Sequence, residues 1–557
     1  LPSATAKFKR GAPDDRPIRR FVQEALMLGE YLRERAETSP DAPAILARRR
    51  AVLSYAGLLD QVAQTVDTLN RAGYGRGDRI ALVLPPGPET TVALLAVLTG
   101  CVCVPLNPGT SASELTALLS RCGLDALITL TDFFGHLVQR AAERGIPVID
   151  LAPLTDEAAG RFHLSAETRG PRAQAGFSNE HELSALFVTS GTTSLPKLIP
   201  LTQADLCYHG QRAMRFLGLT SSDRCLDLLP PFHHDAMACS ILSTVFAGAS
   251  SVYPLMPSAR HFLRWAREFR PTWCGAPPPF FHSLLSEVHR NGYEATELGL
   301  RRLFTCGAPL DEDVAAALEQ TLQTPLLNCY GATECGNISV TPASLAARKR
   351  GSAGISVGLE IRIVGASGDS LPEGQQGEIV VRGPGVFRGY EADPDDNANT
   401  FFGEWYRTGD LGYLDGDGYL FLVGRIQELI NRGGEKIAPM EIDEVLRSHP
   451  DVEEAAAFAV PHALLGEDVA AVVVLKRPGV SADDIRRFAS ERLTGFKVPR
   501  RLLIVPEIPK GPTGKVQRRQ LATLFADELA RAEQSEKPKA SVAAHPENGG
   551  IGRNRND

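Results

Sequence analysis

Over its first 350 residues the chain alternates short apolar runs with stretches of helical period. MLGEYLRERAE repeats its apolar positions at helical spacing and predicts an amphipathic helix. RIALVLPP is an apolar run of strand length that stops at prolines, and ETTVALLAVLTG after it predicts a helix. CVCVPLNP, DALIT, PVIDL and ALFVTS continue the strand series. Strands alternating with helices predict a mostly parallel sheet covered on both faces, with ligands at the carboxyl ends of the strands.

The rhythm changes after residue 350. EIRIVG and GEIVVRG follow closely, and GYLDGDGYLFLVGR predicts a hairpin around an Asp-Gly turn. A shorter α+β pattern comes next: helix EIDEVLRSHP, strands AAAFAVP and VAAVVVLK, helix DDIRRFASERL. The expected fold class is α/β. Residues 1–426 form a large domain of mostly parallel sheets flanked by helices, with a small β subdomain. Residues 427–530 form a small α+β domain. Residues 531–557, rich in Ala, Pro, Gly, Asn and charge, read as a disordered linker or tail.

Composition narrows the function classes. At 43% hydrophobic and 22% charged the 557 residues match a soluble globular protein. A net charge of −7, with both signs interspersed, offers no basic stripe for nucleic acid. No apolar run approaches the roughly 18 residues of a transmembrane helix, and no secretory signal opens the chain. The ten cysteines all lie between Cys101 and Cys335, with no C-x-x-C pair, so a disulfide framework is not expected and a cytoplasmic location is. Leu1 in place of Met carries the expectation of a segment cut from a longer chain.

Candidate chemistry begins at TSGTTSLPKLIPLT, Thr189 to Thr202, directly after the strand-like ALFV. Hydroxyls, a glycine and a lysine at a strand end suit phosphate oxygens. It is not a Walker A loop, since no second glycine precedes Lys197. Three later segments join it: NCYGATECG, WYRTGDLGYLDGDGYLFLVGR and PKGPTGKVQRR. In this order the four resemble the adenylate-forming superfamily of acyl-CoA and aryl-CoA synthetases, peptide-synthetase adenylation domains and luciferases, over residues 25 to 525. GEIVVRGPGVFRGY and RGGEKIAPMEIDEVL look like the acyl-CoA synthetase branch, including oxalyl-CoA-type ligases.

The resemblance implies an ATP- and Mg²⁺-dependent acid–thiol ligase. A carboxylate attacks the α-phosphate of ATP, pyrophosphate leaves, and a thiol then takes the acyl group from AMP. Such a site needs fixed positive charge and backbone donors where anions meet. By resemblance, Thr189, Ser190, Gly191, Thr192, Thr193 and Lys197 hold the β- and γ-phosphates. Tyr330, beside Gly331, stacks on adenine; Gly307, Ala308 and Pro309 wall it. Thr333 meets the α-phosphate, Glu334 the Mg²⁺, and Asp410 the ribose, with Arg425 on ribose or phosphate. Lys515 bridges the substrate carboxylate and the α-phosphate. The small domain would be mobile about Gln427, exchanging Lys515 for the Gly433–Gly434 wall of a pantetheine tunnel. Ser194 and Leu198 stand where the family usually has glycine, and Leu198 is expected to stiffen the loop's end.

The acyl pocket is expected at LPPFHHDAMACS, with His233 near the acyl entrance and His234 and Asp235 beside it; Trp273, Cys306 and Cys335 are further candidates. Asp235 disfavours a dicarboxylate and favours an acid bearing a hydroxyl or amine. His233, His234 and Asp235 are not expected to bind metal, because adjacent side chains rarely converge. DPDDNAN and DGDG read as turns. The thiol is that of coenzyme A or of the phosphopantetheine on an acyl carrier protein, the latter as the loading domain of a polyketide or peptide assembly line. Alternatives are an amino-acid adenylation domain and a catalytically silent binding member.

Overall fold

The structure, a computed structural model, describes residues 26–110, 112–130, 132–170, 174–189, 196–254, 258–291, 298–308, 310–510 and 515–535. The chain divides into two compact units, Leu1–Ile426 and Gln427–Asp557.

In the first unit a seven-stranded sheet runs in the order Phe162–Ser165, Val148–Pro153, Ala126–Thr129, Arg79–Val83, Val102–Pro105, Leu183–Thr189, Lys197–Thr202. Its central pairs are parallel and both edges antiparallel. A second sheet of 14 strands has a parallel core from Pro43–Ala47 through Trp273–Gly275 to Leu326–Ala332. The antiparallel strands of residues 336–425 continue that same sheet rather than standing apart from it.

The helix Pro88–Gly100 shows why the two sheets stay together. Every residue but Glu89 is buried, and it packs on Val102–Pro105 and Leu183–Thr189 of one sheet and Pro43–Ala47 of the other. A helix apolar on all sides needs such a central position. Gly100 is required there, because a Cβ would meet the Val66 methyls at 2.8 Å.

Leu198 is 2% exposed, pairs with Val188 across the Leu183–Thr189 and Lys197–Thr202 strands, and joins the core of the seven-stranded sheet. Its side chain is there for packing, which a glycine could not supply.

The DGDG segment forms the predicted tight turn. Asp415 accepts from the Asp417 and Tyr419 amides at 3.0 and 2.9 Å, and Lys349 holds its other oxygen. DPDDNAN is not a turn. Asp393 caps the Asp396 amide and Pro394 occupies the first helical position, so Pro394–Thr400 is a short helix.

The second unit packs helices Pro439–Arg447 and Ala482–Ser490 with a sheet built on the long hairpin Val452–His462/Gly466–Leu475. Its C-terminal end corrects the expected tail. Arg531–Ser535 belong to the helix Ala526–Ser535, which Leu529 anchors to a cluster containing Val505 and Ile508. Residues 536–557 lie outside the described set.

Candidate active site

Tyr330 sits near the end of the strand Leu326–Ala332, whose hairpin with Gly336–Val340 turns through Thr333 and Glu334. Gly331 has no room for a side chain, since a Cβ would lie 2.5 Å from the Gly336 carbonyl. The Tyr330 hydroxyl donates to Asp410 Oδ2 at 2.6 Å. Three strands separate the two in sheet order, so the sheet curls to bring them together. Burial and the Asp410 charge push the Tyr330 phenol well above its ordinary value, so it remains a donor.

Asp410 and Arg425 are register partners across an antiparallel pair. Their side chains therefore share a face, with Arg425 Nε 3.2 Å from Asp410 Oδ1. Asp410 is 9% exposed, whereas the Arg425 side chain is 55% exposed. The acid is thus held firmly while the arginine faces outward.

A second chain of contacts starts at Lys197. Its ammonium pairs with Asp396 and lies 4.5 Å from the centre of the Tyr390 ring. The Tyr390 hydroxyl donates to Glu334 Oε1 at 2.8 Å, and the Phe387 amide donates to the Glu334 carbonyl at 2.7 Å. Lys197 and Glu334, far apart in sequence, are joined by a tyrosine that no motif pointed to. The only hint was its place at the end of GEIVVRGPGVFRGY.

At the acyl end, Asp235 directly precedes the π-helix Ala236–Leu242, a rare form that often marks function. Asp235 hydrogen-bonds the Cys306 thiol, and its Oδ2 lies 3.5 Å from where a Gly307 Cβ would project. Gly307 itself has φ +84°, a conformation glycine permits. Asp235, Cys306 and Gly307 therefore converge, with half-buried Ala308 adjoining. His233 is half-buried with its ring 4.6 Å from that of Phe232. His234 turns inward. It is 4% exposed, its Nε2 lies 2.8 Å from His209 Nδ1, and its ring stands edge-on to Phe187. His209 Nε2 must donate to the Gly385 carbonyl at 2.7 Å, so His209 Nδ1 accepts from His234. Burial, with His234 and Arg212 nearby, drives the His209 pKa well below its ordinary value, so it stays neutral. His209 was not foreseen, since a lone mid-helix histidine carries no motif.

Trp273 is fully buried in a cluster with Cys306, Cys329 and Cys239, whereas Cys335 belongs to the central core. All ten cysteines are unpaired and buried, and burial raises the Cys306 and Cys335 thiols far above reactivity at neutral pH. These two act as small apolar groups. Of the phosphate-loop candidates, the Thr189 backbone pairs with Lys197. Ser190, Gly191, Thr192 and Thr193, and also Pro309, lie outside the described residues.

In the second unit Lys515 is exposed, beside Val516, which bridges to Lys510. Arg518 fixes the segment: it donates to the Ala457 carbonyl at 2.8 Å, pairs with buried Asp443, and lies 3.2 Å from Glu428. Arg519 donates to the Gln427 carbonyl at 3.0 Å. Gly433 and Gly434 have φ of +62° and +99° at the tip of a two-residue hairpin. Positive φ at both positions is what such a turn demands.

The Tyr–Asp–Arg cluster on the large sheet, with Glu334 held by Tyr390 and Tyr390 lying against Lys197, matches the expectation of an adenylate-forming enzyme. Comparison with known proteins agrees. The AMP-binding enzyme family matches residues 32–391 and the AMP-binding enzyme C-terminal domain matches 441–515. The chain belongs to this family, as an AMP-forming ligase of the acyl-CoA synthetase kind. A probable CoA ligase of Humulus lupulus is 36% identical, over 91% of this chain and 98% of its own length. An oxalate–CoA ligase of Arabidopsis thaliana is 34% identical, over 90% and 99%. The crystal structure of ATP-bound MatB from Rhodopseudomonas palustris superposes with a TM-score of 0.81 at 26% identity, covering 90% of this chain and all of that one. Among the described residues no helix is long and apolar enough to cross a membrane.

Proposed function

We propose that this chain activates a small carboxylic acid bearing a hydroxyl or amine as its acyl-adenylate and passes it to coenzyme A. The observation that carries the reading is the shared surface formed by Tyr330, Asp410 and Arg425 beside Glu334, Tyr390 and Lys197. Asp410 offers carboxylate oxygens for ribose hydroxyls, and the Tyr330 ring lines the adenine position. Lys197 supplies positive charge toward the pyrophosphate. Mg²⁺ is commonly held by one or two carboxylates plus substrate phosphates, and Glu334, oriented by Tyr390, fits that need. When bound, Mg²⁺ would neutralise charge on the phosphates.

The substrate carboxylate oxygen forms a bond to the α-phosphorus as the bond to pyrophosphate breaks. Lys515, on a flexible stem, would hold both anions during that step. The thiol sulfur then bonds the acyl carbon, its proton is lost, and AMP leaves. We place the change between steps at Gln427, with the second unit presenting first Lys515 and then the Gly433–Gly434 turn. Coenzyme A as acceptor, rather than a carrier protein's phosphopantetheine, is supported by relatives named as CoA ligases. The acid's class is supported by Asp235, an acceptor beside Gly307. A cytoplasmic setting fits ten unpaired thiols.

The test is acid-dependent ATP–pyrophosphate exchange across hydroxy, amino, aryl and aliphatic acids. Exchange should appear with at least one hydroxy or amino acid and vanish in Lys515→Ala, which should still make thioester from supplied acyl-AMP. Absence of exchange with every acid, or equal loss of both half-reactions in the variant, would overturn the reading.

A further inference from the structure

The helix Gln203–Leu217 and the strands Leu326–Ala332, Gly336–Val340 and Ser352–Ser356 border a cleft of about 480 Å³. Its walls are mainly apolar, with Phe216, Leu327, Val340, Ile355 and Pro384 among them. None of the candidate active-site residues lines it. The size falls within the range of small-molecule sites.

Arg212 also lines this cleft and is only 6% exposed. Its Nη1 donates to the carbonyls of Cys335 and Asn337 at 2.9 and 3.0 Å, and its Nη2 to the Pro384 carbonyl. No carboxylate pairs with it among the described residues. The titratable groups around it are the thiols of Cys239, Cys329 and Cys335, Arg215, and the neutral His209 on the same helix. Burial raises those thiols so far that they are neutral. A guanidinium has five N–H donors and keeps its charge, so two donors and a whole positive charge remain uncompensated here. A charge this buried ordinarily has a counter-ion.

We propose that the cleft binds a small organic carboxylate, with its head on the Arg212 guanidinium and an apolar body along the Phe216–Ile355 walls. Two remaining planar donors match the two oxygens of a carboxylate. Of the two arginines in the lining only Arg212 is buried, Arg215 being exposed, and a single buried cation among apolar walls suits a monoanion better than a phosphate, which needs more donors. The Cys335 and Asn337 carbonyls held by Arg212 follow Glu334 in the same hairpin. A ligand here therefore touches the candidate active site through one shared element without entering it.

The inference stands apart from the proposed activity, because it rests on binding rather than turnover. The test is calorimetric titration of the full chain, without ATP or thiol, using octanoate, 1-octanol and inorganic phosphate as probes. Octanoate should bind in a 1:1 ratio, with 1-octanol and phosphate weaker by at least about tenfold. Arg212→Gln should weaken octanoate by a similar factor. Ala343→Trp, which fills the cleft from its exposed rim, should do the same while leaving ATP–pyrophosphate exchange and the melting temperature unchanged. That variant keeps the test open if Arg212→Gln fails to fold. Equal octanoate binding by wild type and Ala343→Trp would place the ligand elsewhere and overturn the proposal. Equal binding of 1-octanol would leave an apolar cavity only, and phosphate binding in place of octanoate would refute the ligand class. No octanoate binding would end the proposal, whatever the exchange assay shows.

Discussion

Tyr390→Phe is a sharp test of the candidate site because it removes one atom, a hydroxyl shared between Glu334 and the buried Tyr406. The hydroxyl donates to Glu334 Oε1 at 2.8 Å, while the ring lies 4.5 Å beneath the Lys197 ammonium. Phenylalanine keeps the ring and its attraction for Lys197 but leaves one Glu334 oxygen without its donor. A hydrogen bond to a charged group contributes about 1.5–3 kcal/mol. Glu334 is half-buried, so the low end applies, and about 1.5 kcal/mol is roughly tenfold. Exchange should therefore fall about tenfold in kcat/KM, with the Mg²⁺ dependence moved to higher concentration. Thioester formation from supplied acyl-AMP should be unchanged. Tyr390→Ala, which also loses the cation–π contact of about 0.5–1 kcal/mol, should fall several-fold further. Exchange within twofold of wild type at every Mg²⁺ concentration, in a folded variant, would refute the role given to this tyrosine.

Gln427→Pro should leave exchange largely intact and block thioester formation, since proline fixes φ at the proposed hinge; unchanged overall turnover would remove the hinge from that position. Asp235→Ala should change the acid profile in the exchange screen, and an identical profile would take Asp235 out of the pocket. Leu198→Gly should destabilise by about 3–5 kcal/mol, seen as a lower denaturation midpoint; an unshifted midpoint would contradict its place in the core. Burial pushes the Asp227 carboxyl up to about 7 from 3.8. Between those values the folded chain keeps a proton that the unfolded chain has lost, so stability falls as pH rises through that window and is level above it, by up to about 4 kcal/mol. Asp227→Asn should abolish that slope in melts from pH 4 to 8, and a slope equal to wild type would show that Asp227 does not carry it.

Much of the fold was legible because the period of apolar residues states what each segment can bury. RIALVLPP, CVCVPLNP and DALIT became adjacent parallel strands, and the LDGDGY turn closed a hairpin. The large sheet was harder to see. Its parallel and antiparallel portions are one object, and strand order is a non-local property that local pattern does not encode. DPDDNAN was misread because acids and Pro suit a turn and a helix start equally; only the Asp393 cap geometry decides between them.

The candidate site divides along the same line. Asp410 and Arg425 could be named by resemblance to the family, on one hairpin whose register then sets them face to face. The partners of Lys197 could not, since Tyr390 and Asp396 come nearly two hundred residues later and reach it only through folding. His209 and Arg212 were silent for a stronger reason. They lie three residues apart on one buried helix face; His209 bonds the Gly385 carbonyl besides the His234 ring and Arg212 bonds carbonyls alone, and a carbonyl has no residue identity to search for. A polar side chain whose partners are all main chain leaves no pairwise signature in a sequence. Its cost appears only when the surroundings are known, as an uncompensated charge in the case of Arg212. Such groups are where a structure can assign chemistry that motifs do not reach.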